Sequence, residues 1–150
     1  MDRYFAKLEA GKAVRRYNWS ITTSPDLYLA SGNHLYASGK TTAESGAEQL
    51  PSEKTSEDSQ QGIEEQKRKV KIENCRLRTE RQTLHRLPKT GAIVFAFKTY
   101  QYRLEDIKAE GNGPALAEAI AGIKHGNVPE MQYYKRGVVW GEPVREYLLS

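Results

Sequence analysis

The chain has 150 residues and a mass of 17.0 kDa, the length of one ordinary domain and too short for two full cores. Its hydrophobic share of 38% lies below the usual ~45–50%, and its mean hydropathy of −0.73 implies a packed part diluted by a polar one. The net charge of +4 allows an anionic partner without requiring one, and a single cysteine, Cys75, excludes an internal disulfide and a cysteine-based zinc site. No apolar run approaches the ~20 residues of a membrane span, and no stretch has the layout of a signal peptide, so the chain is expected to be soluble and intracellular, cytoplasmic by default.

In chain order, Met1–Ala10 predicts a short helix with Phe5 and Leu8 on one face and Gly11 as its left-handed stop. Tyr17, Trp19 and Ile21 alternate with Asn18 and Ser20, the period of a half-buried strand. Pro25-Asp26 marks a turn, and Leu27-Tyr28-Leu29 could form a further short strand. From Ser31 to Gln66 the apolar residues stand too far apart for a helix stripe or a strand face. Such a segment cannot offset an ordering cost of about 1–2 kcal/mol per residue, and it reads as a long disordered loop inserted into the domain.

Alternation resumes at Val70 and Ile72, shifts by one residue near Asn74 as a bulge would, and continues through Cys75, Leu77 and Thr79. Leu84 and Leu87 stand at helical spacing, so Arg81–Leu87 predicts one helical turn ended by Pro88. Lys89-Thr90-Gly91 is a turn, and Ala92–Phe97 has the continuous apolar pattern of a strand covered on both faces. Gly111-Asn112-Gly113-Pro114 opens a helix with Leu116, Ile120 and Ile123 as its stripe and Gly126 as its end. Pro129 opens a shorter helix ended by Gly137, and Pro143 a last one ending at Leu149. Helix, strands, then helices give an α+β fold with an antiparallel sheet and C-terminal helices.

The strongest local chemistry is the run Arg76, Arg78, Glu80, Arg81, Gln82, Thr83. On a strand, Arg76, Arg78 and Glu80 share a face. Two guanidinium groups oriented by a carboxylate can clamp an anion, and a solvated face of weak ion pairs is the plainer reading. From Lys67 to Lys89 nine Lys or Arg stand against two Glu, the footprint of a phosphate-binding surface, but no nucleic-acid-binding signature accompanies it. Of the three histidines, only His85 lies beside the cluster, and none shows a paired-ligand spacing, which leaves His85 as a weak metal-ligand candidate. Cys75, on the face of Leu77, reads as a buried structural thiol.

The string Leu77-Arg78-Thr79-Glu80-Arg81-Gln82-Thr83-Leu84-His85-Arg86-Leu87-Pro88-Lys89-Thr90-Gly91-Ala92-Ile93-Val94-Phe95 resembles the most recognisable block of the haem-dependent oxidative N-demethylase alpha-subunit-like family. Asp2-Arg3-Tyr4-Phe5 and Arg16-Tyr17-Asn18-Trp19-Ser20-Ile21 are similar to that family's D-R-F-F and R-x-N-W-S segments. Lys98-Thr99-Tyr100, Leu116–Ile123 and Tyr134-Lys135 fit its closing strand and helices.

The resemblance implies a PAS-like domain that binds haem b and oxidatively removes a methyl group from a small secondary amine, using O₂ and electrons from a reductase. It makes Glu80 the catalytic candidate, facing a cationic amine together with Tyr17 or Trp19. Arg78, Arg81, Gln82 and Thr83 become the candidates for binding haem propionates or another anionic cofactor group. In the family pattern an I-H-x-P-V-P segment precedes the D-R-F-F helix. The resemblance therefore implies an axial histidine upstream of Met1, with this chain the C-terminal portion of one haem domain, whose apolar strands would lack partners. His85 stands where many relatives have Arg, which weighs against it as the axial ligand. The alternatives are a non-catalytic, degenerate haem-binding relative and a basic anion- or nucleic-acid-binding module; a homo-oligomer is compatible with each.

Overall fold

The computed structural model describes residues 5–29, 34–35 and 60–150. Three strands, β1 (Ala13–Thr22), β2 (Arg76–Arg86) and β3 (Ile93–Arg103), form one antiparallel sheet in the order β1-β2-β3. Its register sets Asn18 opposite Glu80 and Glu80 opposite Thr99. A tight turn joins β2 to β3, with the Leu87 N–H donating to the Ala92 carbonyl at 2.8 Å. Gly91 takes φ +70° there, a left-handed geometry that a residue with a Cβ adopts only with strain.

The helices follow the sheet: α1 (Gln60–Arg68) precedes β2, and α2 (Leu104–Ala109), α3 (Gly113–Gly122), α4 (Met131–Tyr134) and α5 (Gly137–Leu149) close the chain. This is the expected α+β arrangement of an antiparallel sheet and C-terminal helices. One core joins them. Ile21 and Cys75 from the sheet side meet Leu104 and Ile107 of α2, Ala117 and Ile120 of α3, and Trp140, Val144 and Leu148 of α5. Cys75 is fully buried, and the loss of hydration raises its thiol to about 11, which keeps it protonated and inert as the sequence reading anticipated.

Several elements depart from the sequence reading, each for a local reason. Arg81–Leu87 is not a helical turn: β2 runs on to Arg86, because Leu84 finds burial opposite Val14 and Phe95 within the sheet. Val70 and Ile72 form no strand; Ile72–Asn74 is a 3₁₀ turn that feeds β2 and takes up the phase change assigned to a bulge. Residues 27–29 are irregular rather than strand. The loop assigned to Ser31–Gln66 lies mostly outside the described residues, but Gln60–Gln66 belongs to α1, whose Arg136 and Glu142 contacts supply what its weak apolar spacing does not. Leu35 is buried as well, with its N–H donating to the Tyr134 carbonyl at 3.0 Å. The N-terminal helix prediction falls partly on residues outside the described set; one helical turn is present at Phe5–Ala6.

Pro143 lies inside α5 rather than at its start, because the buried stripe Val139, Trp140, Val144 and Leu148 holds the helix through the lost N–H. Gly137 opens α5 rather than closing α4. A Cβ there would stand 3.0 Å from the Gln132 carbonyl oxygen, so a residue without one lets the two helices abut. Ala92–Phe97 is not covered on both faces: β3 is an edge strand among the described residues, and Phe95 and Phe97 are 45% and 59% exposed.

Candidate functional site

Alternation along β2 places Arg76, Arg78 and Glu80 on one face of the sheet, as the spacing predicted, adds Gln82, which the sequence placed in a helical turn, and sets Arg81, Thr83 and His85 on the other face. On the first face the polar groups satisfy one another. Arg78 donates from Nε to Glu80 Oε1 at 3.4 Å, from Nη1 to the Leu27 carbonyl at 2.8 Å and from Nη2 to Thr99 Oγ1 at 3.3 Å. Gln82 donates from Nε2 to Glu80 Oε2 at 3.0 Å, and Arg16 donates to Gln82 Oε1. Both carboxylate oxygens of Glu80 are thus engaged, and its side chain is only 20% exposed. The chain Arg16–Gln82–Glu80–Arg78 ties all three strands to the segment after β1, and its members fix one another's orientation. Arg76 stays apart, donating to the Glu73 and Cys75 carbonyls at 2.7 and 2.8 Å.

Two residues that sequence spacing did not bring to the cluster lie at its margin. Lys135, at the α4–α5 junction, donates to the Trp19 carbonyl at 2.6 Å and to Asn18 Oδ1 at 3.0 Å, with its ammonium 5.3 Å from the centre of the Trp19 ring. The seat imagined for a substrate ammonium against Trp19 is therefore taken by the protein's own lysine. Burial lowers the pKa of Lys135, and the charge of Glu80 opposes that shift. No local signal could reveal this contact, because its partners stand 117 and 116 residues apart.

His34 stacks on Tyr134 with ring centres 4.4 Å apart. Partial burial lowers its pKa from 6.5; Glu80 opposes the shift, while Arg78, Lys135 and Arg136 add to it. The folded chain therefore resists a proton that the unfolded chain accepts. The stability His34 contributes is complete above pH 6.5 and is lost as acid passes through its lowered value. Thermal melts at about pH 7 and about pH 5 should show this loss, and His34→Gln should reduce the slope between them. An unchanged slope would assign the acid sensitivity elsewhere.

Beyond Gln82 the same face becomes apolar. Phe95 and Phe97 stand side by side with ring centres 5.8 Å apart, and the guanidinium of Arg16 lies 5.6 Å from the Phe95 ring centre. The opposite face carries His85, which lines a shallow hollow of about 240 Å³ with Gly11, Lys12, Ala13, Arg86 and Pro88. A second hollow, of about 280 Å³, lies between Ile72, Arg76, Arg103 and Tyr147. Both fall below the ~300–1,000 Å³ of typical ligand pockets, and neither is lined by Glu80. Among the described residues no cluster of three His, Cys, Asp or Glu could hold a metal ion. No described helix is long and apolar enough to cross a membrane.

The basic run Lys67–Lys89 does not form one surface. Lys67 pairs with Glu142 and Lys69 with Glu65, Arg78 is turned into the polar chain, and Arg86 holds backbone carbonyls. A nucleic-acid site built from that run is dispersed over three regions.

A small antiparallel sheet, backed at one end by helices and carrying an oriented Arg–Glu–Gln chain beside exposed aromatic rings, defines an α+β protein whose chemistry would lie on the sheet. The model of the family described as haem-dependent oxidative N-demethylase, alpha subunit-like, matches residues 1–145. The chain belongs to that family, and the block from Leu77 to Phe95 that carries the resemblance is β2, the turn and the start of β3.

Proposed function

We propose that this chain serves a haem-dependent oxidative N-demethylation of a small secondary amine, and that its sheet forms one wall of the haem site. The observation that carries the reading is the exposed Phe95–Phe97 pair with the Arg16 guanidinium against it, on the face that holds Glu80. This donor set fits a porphyrin, which presents a broad apolar plane with anionic propionates at one edge. Neither of the two hollows described above is of porphyrin size or is lined by Phe95 or Phe97, so the fit is to a wall.

Phe95 and Phe97 would lie against the macrocycle, and Arg16 would pair with a propionate. When bound, haem supplies the oxygen chemistry. Glu80, held by Arg78 and Gln82, is oriented to present negative charge to a protonated amine, and Gln82 keeps the carboxylate aimed while Arg16 holds Gln82. Arg78 acts here as a positioning residue, because all three of its guanidinium nitrogens are spent on Glu80, Leu27 and Thr99. Arg81 and Thr83 take no part in this wall, since they face the other way.

Titration of the purified chain with haemin, followed by absorption, tests the reading. A saturable Soret shift is expected, weakened at least roughly tenfold, about 1.4 kcal/mol, by Phe95→Ser with Phe97→Ser and by Arg16→Gln. No saturable shift for the native chain, or identical titrations for the variants, overturns it.

A further inference from the structure

The opposite face of the sheet carries a pattern that the haem wall leaves unused. Its register rows are Ala13–His85–Val94, Arg15–Thr83–Ala96, Tyr17–Arg81–Lys98, Trp19–Thr79–Tyr100 and Ile21–Leu77–Tyr102. The last row packs on the helical core, and the Tyr17 row stands open. Arg15, Arg81 and Lys98 are exposed there, Tyr17 is 72% exposed, and none of these rows contains an acidic residue. Arg15 and Arg81 have no ion-pair partner among the described residues, and Lys98 has only its own neighbour, the Tyr100 ring, 5.3 Å away. The only acidic residue of the whole sheet, Glu80, lies on the other face and is engaged there.

We infer that this face docks an acidic protein, the electron-delivering partner of the reaction proposed above, on which the partner's identity rests. Three unpaired cations in two adjacent rows, with no acid between them, make a field of one sign that steers and orients an acidic surface. Tyr17, between Arg15 and Arg81, supplies the amphipathic ring that interfaces favour at their centre. A single-stranded nucleic acid would also meet cations here, but it needs free aromatic faces on which bases stack. Lys98 already covers the face of Tyr100, which leaves Tyr17 as the one strongly exposed ring of the open rows. The family description as an alpha subunit-like chain is consistent with a protein partner.

The test is binding of the full chain to an acidic [2Fe–2S] ferredoxin, measured at rising ionic strength beside oligo(dT) as the competing probe. The expected result is ferredoxin binding that weakens with salt and falls at least roughly tenfold in the Arg81→Glu, Lys98→Glu double variant. Lys124→Glu, a reversal in the turn after α3, leaves it unchanged. Circular dichroism of the double variant confirms that it folds, as expected for exposed positions. Absence of ferredoxin binding at low salt, indifference to the double reversal, or tighter binding of oligo(dT) overturns the inference. A failed haemin titration with this salt-dependent binding intact would instead overturn the haem reading and the electron-delivering role of the partner, and would leave the docking of an acidic protein on this face standing.

Discussion

Replacing Trp140 with alanine is expected to remove about 3–5 kcal/mol of folding stability, the largest single effect expected among the described residues. The indole is 1% exposed and packs with Ile21, Leu104, Ile107, Ala117 and Ile120, so it holds the sheet end, α2, α3 and α5 in one cluster. A buried Trp removes about 150–250 Å² from water, worth about 4–6 kcal/mol at about 25 cal/mol per Å². The two routes to the number agree. A domain of this size has about 5–15 kcal/mol in all, so the variant would sit at or near the edge of folding. Nε1 also donates to the Lys135 carbonyl at 2.8 Å, and that acceptor would lose its partner.

Trp140→Phe separates the two contributions. It keeps most of the apolar volume and loses the hydrogen bond, so its cost should lie well below that of alanine. Guanidinium unfolding of the three proteins gives the order, with an unchanged m-value showing that the native and denatured states remain comparable. Leu149→Ala, at the last position of α5 and 59% exposed, should shift stability by less than about 0.5 kcal/mol. Equal midpoints for Trp140→Ala and Leu149→Ala would contradict the core described here. The effect should reach the sheet as well: Lys135, whose carbonyl Trp140 holds, places its ammonium on Trp19 and Asn18.

What could be read from the sequence was what repeats over a few residues. Arg76, Arg78 and Glu80 differ by two positions, and a strand carries such residues to one face without any tertiary information. The same rule would set Arg81 and Thr83 opposite them, but Arg81–Leu87 reads as a helical turn in the sequence, so Arg78, Arg81, Gln82 and Thr83 stood there as one set and only the strand register divides them. The failures came where two periods overlap. Leu84 and Leu87 are three apart, which fits a helix, but Leu84 is also two from Gln82 and shares its face; pairing with β1 and β3 decided in favour of the strand. Leu35 and Gln60–Gln66 were assigned to a loop because neither has an apolar stripe of its own. Their partners, the Tyr134 carbonyl and Arg136, come from the far end of the chain. Lys135 and His34 join the margin of the Glu80 cluster in the same way, and no spacing rule reaches across 117 residues.

Arg86→Ala is expected to cost about 2–3 kcal/mol, in the range of a hydrogen-bonded charged group rather than an ordinary surface residue. Its guanidinium donates from Nε to the Leu8 carbonyl at 2.7 Å, from Nη2 to the Phe5 carbonyl at 2.6 Å and from Nη1 to the Gly91 carbonyl at 2.6 Å. One planar fork thus joins the N-terminal turn to the turn between β2 and β3, beside Leu84, which is 1% exposed. Without it the Leu8 carbonyl loses this donor in a half-buried setting, the Phe5 carbonyl keeps the Leu8 N–H at 3.2 Å, and that of Gly91 can turn to water. Arg86→Lys should recover little, because a single ammonium cannot reach three acceptors set around a fork. Two readouts separate this role from general destabilisation. Trypsin should cut at Lys7 and Lys12 faster in both variants, at denaturant concentrations where the core remains folded, because the N-terminal turn detaches before α5 does. Proteolysis at Lys124 should keep its native rate under the same conditions. If Arg86→Lys melts with the native protein and protects Lys7 equally well, the three-carbonyl clamp is not what holds the N-terminal turn to the sheet.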